Sequence, residues 1–239
     1  MADAPDRVDF KTTRWPLVRK AANDPSALGE LLHLYWPPMY AYVRCLGFSR
    51  DDAADIIQDF VLERMVDGTL VQTADDDRGR FRVLIKASLR HFVIDQVRRG
   101  ASTKRSPRNA SLMNLAELDH FEPRTSEDPS MAFDRQWVST LLEASLSRVR
   151  AECERDGLTI HWQAFERSIV LPILGRTSPA SLADLAKELG EESVPAVSSK
   201  IQTVRRRFKL ALRQMIEDTI LDPRDAELEA AQLRSLMMF

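Results

Sequence analysis

The chain has 239 residues, enough to bury well over half of its unfolded surface without disulfides or metals, and its 44% hydrophobic and 29% charged residues are those of a globular protein. Only 8 glycines favour helices over tight-turned sheets, and two cysteines, Cys45 and Cys153, exclude a disulfide framework and a four-ligand zinc site and predict a reducing, cytoplasmic location. No apolar run reaches the roughly 20 residues of a membrane span, and Asp3, Asp6 and Asp9 stand where a secretory leader is basic and then apolar, so no membrane partner is expected.

The formal net charge of −2 hides a strong segregation. Residues 51–77 carry nine acids (Asp51, Asp52, Asp55, Asp59, Glu63, Asp67, Asp75, Asp76, Asp77) against one base, Arg64. Residues 78–108 invert this, with ten bases (Arg78, Arg80, Arg82, Lys86, Arg90, Arg98, Arg99, Lys104, Arg105, Arg108) against Asp95. A second basic run, Lys200, Arg205, Arg206, Arg207, Lys209 and Arg213, lies in an acid-free stretch from 196 to 213. Two separated basic segments suggest two contacts with a polyanion.

In chain order, Leu28, Leu31, Leu32, Tyr35, Met39, Tyr42, Val43 and Leu46 recur at helical spacing, and Pro37 and Pro38 predict a break into two short helices. The next helix opens on Ser49 as N-cap, with Asp51 and Asp52 in its first turn, and ends at Gly68. Its buried stripe is Ala53, Ile56, Ile57, Phe60 and Val61, while Asp52, Asp55, Asp59 and Glu63 line another face. A loop holding Asp75, Asp76, Asp77 and Gly79 leads to a long helix over about 80–99. Phe81, Leu84, Ile85, Leu89 and Phe92 hold one side of it, and Arg82, Lys86 and Arg90 stack along the flank, where they repel unless something anionic neutralises them.

Residues 101–130 lose periodicity and collect Ser, Pro and Asn, the composition of a flexible linker. Helical patterns resume over 131–155 on Trp137, Val138, Leu141, Leu142, Leu146 and Val149, and over 160–174 around Trp162, Phe165, Ile169 and Leu171. In "SLADLAKELG" Ser181 caps a helix whose Leu182, Leu185, Ala186 and Leu189 face inward, and Gly190 stops it in the left-handed region. Pro195 suits the first turn of a second helix, with Val197, Ile201, Val204 and Phe208 as its buried stripe and Ser199, Gln202, Thr203 and Arg206 opposite. Small polar residues first and arginines later suit a helix lying in a major groove, so the pair reads as a helix-turn-helix. An amphipathic tail over 223–239, with Leu228, Leu233, Leu236, Met237 and Met238, is expected to pack as a helix on the second domain. The expected fold is all-α, two helical domains joined by a flexible linker.

The segments "DAADIIQDFVLERM" at 52–65, "RGRFRVLIKASLRHFVIDQVRR" at 78–99 and "SLADLAKELG…VSSKIQTVRRRFKLALRQM" together closely resemble extracytoplasmic-function sigma factors of bacterial RNA polymerase. Thr13, Arg14 and Trp15, the "RGRFR" loop and the "RRRF" helix resemble a planctomycete-type group of them. The resemblance implies a domain over 10–100 that binds core polymerase and melts the promoter, a linker over 101–130, a helix-turn-helix domain over 131–222 and a tail over 223–239. It implies that Asp55, Gln58 and Asp59 contact the clamp coiled coil of the polymerase's largest subunit. By the same resemblance Arg82, Lys86, Arg90, His91, Arg98 and Arg99 hold the melted promoter element. Ser198, Ser199, Gln202, Thr203, Arg205 and Arg206 would then read the upstream element. Many members carry asparagine where His91 stands, and lysine where Ser198 stands, with Lys200 two positions on.

The implied partners are core RNA polymerase, promoter DNA and an anti-sigma regulator, and no cofactor or metal is expected. A catalyst is not expected: His33, His91, His120 and His161 form no metal pair, no glycine-rich phosphate loop occurs, and neither cysteine has a neighbouring histidine. Asp75, Asp76 and Asp77 lack the alternation of a calcium loop. The rival reading is a one-component helix-turn-helix transcriptional regulator, in which the first basic segment has no assigned work.

Overall fold

In a computed structural model of the chain, the described residues are 16–67, 70–71, 81–102, 128–178 and 180–217. Among them all regular structure is helical and no strand occurs. The chain divides into two compact units, and the boundary between Arg135 and Gln136 falls within a helix.

In the first unit α1 (Pro16–Ala21) leads into α2 (Pro25–Cys45). Asp24 caps α2: its Oδ1 accepts from the backbone N–H of Ser26 at 2.8 Å and of Ala27 at 3.4 Å, with Lys20 Nζ 3.3 Å from Oδ2. The Ser26 bond, and then the Lys20 ammonium, hold this carboxyl below its ordinary value. Because the folded value lies below the unfolded one, the cap contributes above the unfolded pKa and is lost as pH falls through the folded one. The melting temperature of Asp24→Ala is therefore expected to lie below that of the parent at neutral pH, with the gap closing as pH falls from the unfolded value through the lowered folded one; thermal unfolding monitored by circular dichroism across pH checks it.

The break expected at Pro37 and Pro38 does not occur, and α2 runs through both as one helix. Leu31, Tyr35, Met39 and Val43, all fully buried, keep one helical register across the prolines, so the two halves face the same core. Burial of each such side chain contributes about 1.5–3 kcal/mol, which over the four matches or exceeds a cost of about 3 kcal/mol for each of the two interior prolines.

Ser49 caps α3 (Arg50–Phe60), its Oγ accepting from the Asp52 N–H at 3.1 Å and donating to the Asp52 carboxylate at 2.6 Å. Past Phe60 the helix widens into a π-helical turn over Val61–Val66, with Val61 and Met65 still buried. Gly68 lies outside the described residues, as do Thr13, Arg14, Trp15 and residues 72–80, on which the expected loop falls. Helix α4 (Phe81–Ser102) buries Phe81, Ile85, Leu89, Phe92 and Val93. Edge-to-face contacts of Tyr35 with Phe81 (5.3 Å) and of Phe60 with Phe92 (5.5 Å) knit α2, α3 and α4 into one core.

Residues 103–127, most of the expected linker, lie outside the described residues, as does the tail over 223–239. Helix α5 (Pro129–Arg155) starts on Asp128, whose Oδ1 accepts from the Ser130 N–H at 2.9 Å, and Phe133 in its first turns is fully buried.

The second unit, Gln136–Ile216, contains the rest of α5. Helix α6 (Thr159–Phe165) widens into a π-helical turn, Glu166–Val170, and closes on the single turn Leu171–Ile173. Ser181 caps α7 (Leu182–Glu188), accepting from the Asp184 N–H at 3.1 Å, and Gly190 at φ +68° follows it. A Cβ on Gly190 would meet nothing within 4 Å, so the left-handed backbone, and not crowding, calls for glycine there. The chain turns through Glu191–Ser193 into α8 (Val194–Glu217). Val149, Cys153, Trp162, Phe165, Leu185, Val197, Ile201 and Val204 form the core. Leu182, expected to face inward, is 37% exposed, since in the first turn of α7 only Leu185 and Ala186 reach that core.

Candidate partner-binding and nucleic-acid faces

In the first unit, burial of Ala53, Ile57 and Phe60 turns the other side of α3 to solvent. Asp51, Asp55, Gln58, Asp59, Leu62, Glu63, Val66 and Asp67 are all exposed, at steps of one, three or four that keep them on one stripe continuing from α3 into the π-helical turn. Asp55, Gln58 and Asp59 thus lie together as the sequence predicts. The stripe also contains Leu62 and Val66, 46% and 48% exposed, which the sequence reading did not single out. Continuing the 55, 59 spacing by three and then four residues reaches both of them. A carboxylate stripe with two apolar side chains suits a basic protein surface and repels nucleic acid.

The six residues expected to hold melted DNA on α4 do not share one environment. Arg82 and Lys86 point to Asp134 in the first turns of α5, at 2.7 Å from Arg82 Nη1 to Oδ1 and 2.9 Å from Lys86 Nζ to both carboxylate oxygens. Lys86 Nζ also donates to Ser130 Oγ at 2.9 Å and lies 5.7 Å from the centre of the Phe133 ring. The side chains of Arg82, Lys86 and Asp134 are 6%, 17% and 14% exposed. The anion that relieves repulsion between these two stacked cations therefore belongs to the chain itself. This corrects the expectation of an external polyanion at Arg82 and Lys86.

Arg90, His91, Arg98 and Arg99 remain exposed on α4, beside exposed Val83 and Ala87. Arg99 Nη1 stands 3.8 Å from Glu63 Oε1, a long and solvated pair of small energetic consequence. Arg64 extends over the Phe92 ring at 5.8 Å.

In the second unit the connection between α7 and α8 fixes how α8 is rotated. Taking about 100° per residue, Ser199, Gln202, Arg206, Lys209 and Arg213 fall within a sector of about 80°, and all five are exposed. Arg205, exposed, flanks them, and exposed Leu210 lies at the edge of the stripe. Lys200 and Arg207 lie about 90° away, where each meets a carboxylate: Lys200 pairs with Glu191 at 2.8 Å and Arg207 with Asp156. The basic run is thus divided, four cations outward, among them Arg205 and Arg206 as expected, and two bound internally. Ser198 and Thr203 are half-buried, and the Thr203 hydroxyl donates to the Ser199 carbonyl at 3.0 Å.

Burial pushes the His161 imidazole below its ordinary value, and the Lys200 ammonium acts in the same direction, so this side chain stays neutral at pH 7. Burial likewise raises the Cys153 thiol, which disfavours the thiolate form, and the side chain packs in the core of the second unit. Among the described residues no three His, Cys, Asp or Glu side chains converge as metal ligands, and no helix is long and apolar enough to cross a membrane.

Comparison of the chain with protein-family models, curated proteins and solved structures found no match.

Proposed function

We propose that the chain is a sigma factor of the extracytoplasmic-function kind, a cytoplasmic protein that joins core RNA polymerase to promoter DNA. The observation that carries this reading is the division of charge by face: the charged groups on the outer stripe of α3 are all carboxylates, and those on the outer stripe of α8 up to Arg213 are all cations. The α3 stripe, with Asp55, Gln58 and Asp59 at its centre, docks the polymerase. On α4, Arg90, His91, Arg98 and Arg99 take the displaced strand, with Arg82 and Lys86 shaping the helix from within through Asp134. Helices α7 and α8 act as a helix-turn-helix within the second domain, and Ser199, Gln202 and Arg206 read base edges of the upstream element. Ser198, Thr203 and Arg205 border that surface. Two weak contacts with one DNA molecule, joined on the polymerase, gain affinity through effective concentration, so the isolated chain binds DNA weakly.

The test is co-elution of the purified chain with core polymerase on a sizing column, followed by binding of the complex to promoter fragments. A chain that elutes apart from core at micromolar concentration contradicts the reading. Within the complex, Arg206→Ala is expected to cost about 1–3 kcal/mol at the upstream element and little on random DNA; competition binding with the two DNAs checks it, and equal losses on both make Arg206 a phosphate contact.

A further inference from the structure

The acid-free basic run on α8 is longer than the surface assigned above to base reading, and the structure sorts its cations in a way that composition does not. Lys200 and Arg207 are held by Glu191 and Asp156, whereas Lys209 and Arg213 are exposed and continue the line Ser199, Gln202, Arg206 toward the C-terminal end of the helix. At 1.5 Å per residue, Lys209 and Arg213 lie about 15 and 21 Å along the axis from Ser199. The major groove of a B-form duplex is only about 12 Å wide. If α8 crosses the groove obliquely with its N-terminal half on the base edges, it has passed the groove wall at Lys209, and its next outward groups meet the sugar-phosphate strand. The line ends chemically at Glu217, the only acid of α8.

We infer that Lys209 and Arg213 form a phosphate-contacting extension of the α8 surface, clamping the backbone of duplex DNA beside the base-reading positions, while Lys200 and Arg207 make no phosphate contact. This extension rests on the proposed DNA-binding role of α8. It supplies affinity and register without sequence preference, because phosphates carry no base identity.

The test is fluorescence anisotropy of the full-length chain with a random-sequence 30-base-pair duplex, titrated at several salt concentrations from low to physiological. Each phosphate contact contributes about 0.9 to the slope of log affinity against log salt, so K209Q/R213Q is expected to flatten that slope by about 1.8 and to weaken every duplex alike. R148Q/R150Q, which removes two exposed cations of α5 in the same unit, is the control for net charge and is expected to leave the slope unchanged. All four side chains are exposed, so both double variants keep the fold, and circular dichroism verifies it. An unchanged slope in K209Q/R213Q, or an equal drop in R148Q/R150Q, overturns the phosphate clamp and leaves the base-reading role standing. A parent chain with no salt-dependent duplex binding overturns both.

Discussion

Asp134→Ala will lower the unfolding free energy of the first unit by about 3–5 kcal/mol, a large part of the 5–15 kcal/mol that typically holds a domain together. The reason is electrostatic. Asp134 faces both Arg82 and Lys86, and all three side chains are nearly shut off from water. Removing the carboxylate leaves two desolvated cations facing each other one helical turn apart on α4. Asp134→Asn, which keeps the shape and hydrogen-bonding capacity while removing the charge, is expected to lose less than alanine but to remain clearly destabilised. Replacing all three by apolar residues of similar volume is expected to recover most of the loss, since the cost lies in unpaired charge and not in missing attraction. Denaturant unfolding of the full chain, followed by far-ultraviolet dichroism, measures each. An Asp134→Ala midpoint equal to the parent's contradicts the buried pairing.

Asp55→Arg will weaken association with core polymerase by at least a hundredfold, about 2.7 kcal/mol, while leaving the melting temperature within a degree or two. Asp55 is exposed between Asp51 and Asp59 on the α3 stripe, so its side chain contributes nothing to the core formed by Ala53, Ile57 and Phe60. Reversing its sign places a cation at the centre of the surface proposed to meet a basic partner, and like-charge juxtaposition across an interface costs several kcal/mol. Gln58→Ala is expected to act more weakly, because no charge is inverted. The on-rate should carry part of the effect and fall with added salt, as electrostatic steering does. Surface-immobilised core polymerase with the two variants in solution gives both rate constants. Unchanged binding by Asp55→Arg removes α3 from the interface.

Features decided within a few residues were legible before the fold was known. Ser49 and Ser181 cap their helices as expected from a serine placed just before each apolar-periodic run, each Oγ accepting from the backbone N–H of the acid three residues on and donating to its carboxylate. Gly190 takes its left-handed conformation just beyond α7, and Val197, Ile201 and Val204 bury as their spacing predicts. The exposed α3 stripe follows from the same arithmetic.

Features decided by tertiary contact were not legible. Nothing near Lys86 in sequence announces that a carboxylate 48 residues away will neutralise it, and within the helical pattern over 131–155 Asp134 reads as an ordinary polar position. The division of the α8 bases depends on where Glu191 and Asp156 come to rest, which is a property of the connection between helices and not of α8. The unbroken α2 is a third case, in which burial on both sides of Pro37 and Pro38 overrides a local preference that by itself points the other way. Charge runs in this chain therefore overstate the number of cations available to a polyanion, by two on α4 and by two on α8.

The most direct measurement is multi-round transcription of genomic DNA fragments by core polymerase, with and without the full-length chain, mapping the 5′ ends of the products. The account predicts new, discrete start sites that appear only with the chain, and that are lost with Asp55→Arg. A product pattern identical to that of core polymerase alone, at chain concentrations that saturate any binding, would contradict it.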